Sequence, residues 1–455
     1  LSFLLVPLYT RVLTPSDYGY FDLVMAFSNL VHLTVALEIT QAVPRFFGME
    51  INPEKKIAYS STGLFFNIFC YFIFFIFSFL FQDDLSCLVV KGDVARPEFQ
   101  LGIILIFITG LLAFFQNQFR WELKSKQYTG VSLTISILTA ALSFFLTIYL
   151  KLGLKGIILS ILAGNAVGLI LSAYLLRNSF KMIFDVSLLK EMLRYSIPLV
   201  PSGISVFVSL YIDRIMINEF LSLDDVGLYG IAARFASLTS LILVGFEMSI
   251  SPLVFNNFNV PETKDNVVNI FKHFFFISIL LLVVVSLYSE EALHIMTSPN
   301  FFDAKLAIPF LVASMLLSKF YLFTPGVFIG KKTKVVLGIN VFTALINIAL
   351  NFVFIPWLGF VGAGVATLTS QIFAFSQYYR YGQPHYKLHF EWNQFIPPVL
   401  VVIAVLIANT YLNASVIVEI LVKTIFVAIT IGVLFYSKII SISEFMKLKD
   451  LLSKK

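Results

Sequence analysis

The sequence predicts an all-α integral membrane protein of about fourteen transmembrane helices. The first observation is composition. The chain has 455 residues, 58% of them hydrophobic, 13% charged and 50 of them Phe, with a mean hydropathy of +0.90. A soluble domain carries about 25% charged residues, and surface-to-volume scaling would leave this much apolar surface in water. The second is periodicity: apolar runs of helical, membrane-crossing length recur between short polar breaks, and the ten-residue alternation of a β-barrel is absent. The third is that the polar breaks alternate in charge.

The spans fall at roughly 1–12, 18–42, 58–81, 99–119, 128–150, 154–176, 196–219, 226–252, 271–289, 304–329, 335–356, 360–379, 395–412 and 415–437. Only helices satisfy their own backbone in hydrocarbon at these lengths. The first run, Leu1 to Tyr9, is too short to span and lacks a basic flank or cleavage site, so the gene product is expected to begin upstream with the first helix truncated here. Loops on one side hold 22 basic residues and loops on the other hold 6. The richer side is therefore expected in the cytoplasm, with both termini there. The net charge of +6 reflects this bias and not nucleic-acid binding. The segment around Leu188, Leu189, Met192 and Leu193 reads either as an amphipathic helix lying on the membrane or as a solvated linker. Cys70 and Cys87 form no framework.

The chain reads as duplicated. At an ungapped shift of 208, Leu13 aligns with Leu221, Thr14 with Ser222, Asp17 with Asp225, Gly19 with Gly227, Phe27 with Phe235, Pro44 with Pro252 and Phe47 with Phe255. At a shift of 206, Gly153 and Gly156 align with Gly359 and Gly362. The shift takes in six helices, an even number, so the copies are parallel, about an axis along the membrane normal. The expected organisation is a lobe over 1–178, a second over 188–380, a terminal helix pair over 395–437 and a cytoplasmic tail over 438–455. Two similar lobes rocking about a central site fit alternating-access transport; a duplicated scaffold without transport is the alternative.

The run Pro7-Leu8-Tyr9-Thr10-Arg11-Val12-Leu13-Thr14-Pro15-Ser16-Asp17-Tyr18-Gly19 resembles the opening of the Wzx-type O-antigen and polysaccharide flippases. Tyr195-Ser196-Ile197-Pro198-Leu199-Val200-Pro201-Ser202 is similar to the start of their seventh helix, and Asp213-Arg214 and Asp225-Val226-Gly227-Leu228-Tyr229 are similar to the stretches after that start. These flippases belong to the multidrug/oligosaccharidyl-lipid/polysaccharide exporter superfamily. The resemblance covers most of the chain. It implies a V-shaped, alternating-access transporter of two six-helix lobes in a bacterial cytoplasmic membrane. It implies movement of an undecaprenyl-diphosphate-linked oligosaccharide from the inner to the outer leaflet for lipopolysaccharide O-antigen, capsule or exopolysaccharide, with membrane lipids and other polysaccharide-assembly proteins as partners. It also implies coupling to an H+ or Na+ gradient. Many of these flippases have twelve spans. Fourteen points instead toward the polysaccharide-transporter branch or the lipid II flippase-like branch.

An ionisable group at membrane depth costs about 2.5–3.5 kcal/mol on insertion scales and calls for a reason. The cations within spans are Arg214, Arg234, Lys319 and Lys423, with Arg11 near an outer helix end. A diphosphate needs cations, and guanidinium binds phosphate oxygens as a fork. Arg11, Arg214, Arg234 and Lys319 are therefore the candidate substrate-binding residues, with a structural ion pair or an interfacial role as the alternative for each. Asp22, Glu38, Asp213, Glu247 and His32 are the ion-coupling candidates, again with structural roles as the alternative. Glu419 and Lys423 stand at i, i+4 and read as a local salt bridge.

No metal-ligand spacing, Walker A, HExxH or nucleophile elbow is present, so the sequence gives no sign of an enzyme or of ATP-driven transport by this chain alone. A multidrug or metabolite exporter of the same superfamily is the main competing expectation. A membrane polysaccharide polymerase is a weaker one, since the chain has no large outer loop.

Overall fold

The computed structural model describes residues 3, 5–91, 97–258, 260, 262–412 and 414–439. Of the expected tail over 438–455, all but Lys438 and Ile439 lies outside these, as do the side chains of Pro252 and Phe255. Among the described residues the structure is helical and without strands, as the hydrocarbon constraint requires. Among the described residues, nine helices are long and apolar enough to cross a membrane, and two bent pairs raise the count to as many as eleven.

Residues Leu1–Gly230 form one compact unit and Ile231–Lys455 a second. In the first, α1 (Val6–Val12) is followed by α2 (Pro15–Thr34), whose N-terminus is closed by a capping box between Thr14 and Asp17. A 43° bend separates α2 from α3 (Ile39–Met49), which contains Pro44, and together they are long and apolar enough for one span. Leu37 and Glu38 sit in the left-handed region at the break, and the Thr34 hydroxyl donates to the Leu30 carbonyl near the end of α2. Then come α4 (Pro53–Leu80), α5 (Gln82–Val90), α6 (Pro97–Trp121), α7 (Ser125–Phe144) and α8 (Gly153–Leu175). Helix α6 packs on α4 and α8, and α7 packs on α8. Glycines set these approaches: a methyl group on Gly164 would meet the Thr139 hydroxyl at 2.2 Å, and one on Gly168 would meet Ile135 at 2.4 Å. Helix α9 (Val186–Ser196), capped by Asp185, lies against α3 and α4 with Met192 buried. The apolar face read there thus packs on protein. Helix α10 (Val200–Phe220) packs on α2.

Helix α11 (Leu223–Ser237) crosses from the first unit into the second and is followed by α12 (Ser240–Asn257). The expected span 226–252 is thus interrupted at Leu238–Thr239. The hydroxyls of Ser237, Thr239 and Ser240 donate to the carbonyls of Arg234, Ala236 and Ser237 at 2.6, 2.7 and 2.5 Å. Side-chain donors thereby satisfy backbone acceptors at the interruption. The second unit continues with α13 (Glu262–Leu287), α14 (Ser289–Met296), α15 (Ile308–Leu317), α16 (Gly326–Ile329), α17 (Thr333–Leu358), α18 (Phe360–Gly382), α19 (Ile396–Thr410) and α20 (Val416–Tyr436). Helix α18 packs on α17 and α15, and α13 on α15, α19 and α20.

Eleven of the fourteen expected spans match long apolar helices or bent pairs. The other three meet α1, which has 7 residues, the interrupted α11–α12 segment, and α18, whose 23 residues include Thr367, Ser370, Gln371, Ser376 and Gln377. The surface confirms the solvent. Phe69, Phe72, Ile73, Ile76 and Phe77 of α4 are all exposed, an apolar face that water would not tolerate. The chain is a multi-pass membrane protein.

The duplication is visible in local structure. Gly153 and Gly359 both have positive φ, +54° and +64°, and each precedes or opens a 23-residue helix. At the other shift, the side-chain pairing of Thr14 with Asp17 recurs between Ser222 and Asp225, where the serine hydroxyl donates to the carboxylate at 2.5 Å and accepts the Asp225 N–H at 3.3 Å.

Candidate functional site

The charged residues within the spans are grouped by neighbouring helices, not by their own. In the first unit, α2, α10 and the start of α11 converge on Arg214. Its Nε donates to Asp22 Oδ2 at 2.5 Å and its Nη1 to the Leu210 carbonyl at 2.9 Å. Both side chains are largely buried, 13% exposed for Arg214 and 11% for Asp22. The guanidinium also lies over Tyr211 at 5.3 Å and near the Tyr229 ring at 5.6 Å, a cation–π arrangement that adds to its hold. Adjacent Asp213 faces another way and accepts the Tyr229 hydroxyl at 2.5 Å. Gly230 leaves room for Asp22; a methyl group there would fall 2.9 Å from Oδ2.

Deeper in the same unit, His32 is the centre of a hydroxyl cluster. Its Nδ1 pairs with Tyr71 Oη at 2.7 Å, and its Nε2 with Thr109 Oγ1 at 3.1 Å and Ser28 Oγ at 3.2 Å. Tyr71 is held over Gly110, where a methyl group would collide with the ring at 2.1 Å. Glu38, at the α2–α3 break, is buried and faces Gly203 of α10, on which a methyl group would fall 2.7 Å from Oε1. Among the described residues its carboxylate makes no hydrogen bond or ion pair.

In the second unit, Lys319 Nζ donates to Glu247 Oε2 at 2.7 Å and Tyr321 Oη to Oε1 at 3.4 Å. This pair is more open, with side chains 30% and 36% exposed. Arg234 is half-buried in the last turn of α11, and Arg11 is exposed in the last turn of α1.

Two substrate-binding candidates, Arg214 and Lys319, are thus paired with two ion-coupling candidates, Asp22 and Glu247. The absence of acidic neighbours at i±4 hid these pairs from the sequence. Tyr71, Thr109, Tyr211, Tyr229 and Tyr321 were missed because an uncharged hydroxyl raises no flag in a span. The expected Glu419–Lys423 bridge is replaced. Lys423 is buried and donates to Glu291 at 2.6 Å, while Glu419 accepts the Ala414 N–H at 3.2 Å. Glu419 and Lys423 share a face of α20, but Glu419 lies in the first turn, where it accepts the Ala414 N–H, and the packing of α20 on α13 brings Lys423 to Glu291.

A multi-pass helical bundle, internally duplicated, with ion-paired charges at membrane depth, defines a membrane-transporter fold. Solved structures agree. An inward-facing multidrug resistance MATE family transporter of the MOP superfamily superposes with a TM-score of 0.70 at 17% identity, over 84% of this chain and 93% of that one. The lipid II flippase MurJ in an inward closed conformation also gives 0.70 at 17% identity, over 96% of this chain and 98% of its own. The family model described as "Polysaccharide biosynthesis protein" matches residues 1–258, more than half of the chain, and the MatE model matches residues 198–353. The chain belongs to the polysaccharide biosynthesis protein family, as the motifs near Pro7 and Tyr195 implied. Its relatives include Lsg locus putative protein 1 of Haemophilus influenzae, 23% identical over 79% of this chain and 90% of that protein. Another is the probable low-salt glycan biosynthesis flippase Agl15 of Haloferax volcanii, 24% identical over 81% of this chain and 77% of that protein.

Proposed function

We propose that this protein is a flippase that carries a prenyl-diphosphate-linked oligosaccharide from the inner to the outer leaflet of the bacterial cytoplasmic membrane for surface polysaccharide assembly. Both termini lie in the cytoplasm, and the duplicated segments 1–178 and 188–380 act as the two lobes. The observation that carries this reading is the pairing of two of the cations within the spans with carboxylates, Arg214 with Asp22 and Lys319 with Glu247. A bound diphosphate competes with the carboxylate for the same cation. Protonation or cation binding at the carboxylate frees the cation, and departure of substrate restores the pair. Substrate and coupling ion are thereby linked through one contact, as reciprocal coupling requires. Glu38, buried beside the α2–α3 break and without a partner among the described residues, is the carboxylate best placed to take up an ion by itself. Arg11 and Arg234 supply further positive charge, Asp213 orients Tyr229, and His32 with its hydroxyl cluster provides a proton-exchanging group. The name of Agl15, a probable glycan biosynthesis flippase, supports the substrate class.

The test is export of surface polysaccharide in cells depleted of the native protein. R214Q and K319Q are expected to abolish export while membrane protein levels hold. Normal export in both variants overturns the assignment. The MatE match over 198–353 favours a second reading, export of a soluble drug or metabolite. Retained polysaccharide export together with a lost drug-efflux phenotype in the same variants would select it.

A further inference from the structure

The surface of the second unit holds a basic cleft that the transport reading does not use. Its volume is about 370 Å³, and it is lined by Lys264, Asp265, Val268 and Asn269 from the start of α13 and by Lys387 and His389 from the segment between α18 and α19. The Lys264 ammonium lies 5.3 Å from the centre of the Tyr386 ring, which is itself buried, so one wall of the cleft is fixed. Asp265 is the one acidic group in the lining, against two lysines and a histidine.

The cleft's depth relative to the bilayer follows from α13. That helix has 26 residues, about 39 Å at 1.5 Å per residue, and so exceeds the ~30 Å hydrocarbon core by about two turns. The polar residues that project are at its start, Glu262, Thr263, Lys264 and Asp265. One to two turns further in stands a continuous aromatic cluster. Phe271 meets Phe390 at 5.0 Å and Phe395 at 5.3 Å, and Trp392 meets Phe390 and Tyr379 at 5.2 Å each. The Trp392 indole N–H donates to the Tyr379 hydroxyl. Trp and Tyr gather at the level where acyl chains meet headgroups. Lys264, seven residues before Phe271, stands about 10 Å further out along the helix. That is headgroup depth.

We propose that this cleft binds the phosphate of an anionic phospholipid headgroup, with Lys264, Lys387 and His389 as donors, Asn269 as a neutral donor, and the Phe390–Trp392 cluster against the upper acyl chain. The lipid is a resident ligand of the second unit and distinct from the translocated substrate. A phosphate diester with no positive charge of its own suits two lysines and a histidine, whereas a zwitterionic headgroup would bring a quaternary ammonium into a basic cleft. Asp265 opposes binding and limits its strength.

The experiment titrates the purified full chain in detergent with dioctanoyl-phosphatidylglycerol, dioctanoyl-phosphatidylcholine and inorganic phosphate, with thermophoresis as the readout. Saturable binding of the phosphatidylglycerol is expected. With each lysine contributing about fivefold near a charged headgroup, K264Q/K387Q should weaken it about 25-fold, and D265N should tighten it severalfold. The substituted residues are exposed, and melting temperatures should match the parent chain. Equal binding by K264Q/K387Q, or weaker binding by D265N, overturns the site. Phosphatidylcholine binding as tightly as phosphatidylglycerol overturns the headgroup assignment. Inorganic phosphate competing at the same concentration as lipid shows a free-anion site and overturns the lipid.

Discussion

Gly19 and Gly227 lie 208 residues apart in the sequence and touch in the fold. A methyl group on Gly19 would fall 2.0 Å from the Leu223 carbonyl oxygen and 3.0 Å from the Gly227 amide nitrogen. One on Gly227 would fall 2.1 Å from the Pro15 carbonyl oxygen and 3.2 Å from the Gly19 amide nitrogen. Pro15 and Leu223 are also 208 apart, so the contact is its own mirror image, as at a two-fold interface. The two capped helix starts of the duplication cross here, backbone on backbone. Only glycine permits the approach.

G19A and G227A are each expected to force the two helices apart. Overpacking of this kind costs about 1–3 kcal/mol. Because both methyl groups act on one crossing, the double variant should lose less than the sum of the singles. Gly48 supplies the control, since nothing lies within 4 Å of a methyl group built there. G48A should leave the melting temperature of the purified protein unchanged or raise it slightly. Equal melting temperatures for G19A, G227A and G48A would remove the crossing from the description.

The Arg214–Asp22 pair yields a graded series. D22N leaves a largely buried guanidinium without its carboxylate, a loss of roughly 3 kcal/mol for a buried pair. R214K should be nearly as harmful as R214Q. The arginine serves Asp22 through Nε and the Leu210 carbonyl through Nη1, and a single ammonium cannot reproduce that fork. Melting temperature and surface-polysaccharide export are the two measurements. Full function in R214K would show that charge alone matters at this position.

Much of this architecture is legible in the chain. Hydropathy and the 22-to-6 division of basic residues locate most helices, because a span must be long, apolar and self-bonded. The repeated Thr14/Asp17 and Ser222/Asp225 pairs and the Gly153/Gly359 pair are readable because each encodes a local backbone device. What escapes is what depends on a second helix. Lys423 has an acid one turn away on the same face at Glu419 yet bonds Glu291, since packing against a second helix decides which acid its ammonium meets. Lys319, just past the end of α15, has none at i±4 and finds Glu247. The interruption at Leu238–Thr239 carries neither Gly nor Pro; only the Ser237, Thr239 and Ser240 hydroxyls mark it, and hydroxyls are common in spans. The basic cleft is split between residues 264–269 and 387–389, two stretches that nothing in their sequence connects.

The Lys423–Glu291 contact gives an asymmetric expectation. The Lys423 side chain is 3% exposed and the Glu291 side chain 25%. E291Q strands a buried ammonium, whereas K423M strands a carboxylate that retains some access to solvent. E291Q should therefore be the more destabilising, and K423M/E291Q should recover much of the loss, because a hydrophobic replacement of a buried pair is often neutral. E419Q should do little. A large effect of E419Q with none of E291Q would restore the local i, i+4 bridge in place of the contact between α20 and the segment that begins α14.

Glu122 predicts the sign of a pH dependence outside the membrane-spanning helices. It follows α6 directly, and three groups converge on it. Gln118 Nε2 donates to Oε1 at 2.7 Å, Ser179 Oγ to Oε2 at 2.9 Å, and Lys124 Nζ bridges Oε2 at 2.6 Å. Burial by itself would raise the carboxyl's pKa. The hydrogen bonds from Gln118, Lys124 and Ser179 and the charge of Lys124 outweigh it and hold Glu122 below the ordinary glutamate value of 4.5. A carboxyl whose folded pKa is depressed contributes stability above its unfolded pKa and loses it as pH falls through the folded one. The cluster should therefore be fully stabilising at pH 7 and weaken only below about pH 4.5. The check is the melting temperature of the wild type and E122Q in detergent from pH 7 down to pH 4. E122Q is expected to melt lower at pH 7, and the gap should narrow as the pH falls below that value. A gap that stayed constant across the range would mean that Glu122 acts through shape and neutral hydrogen bonding alone. A gap that widened would reverse the sign of its electrostatic contribution.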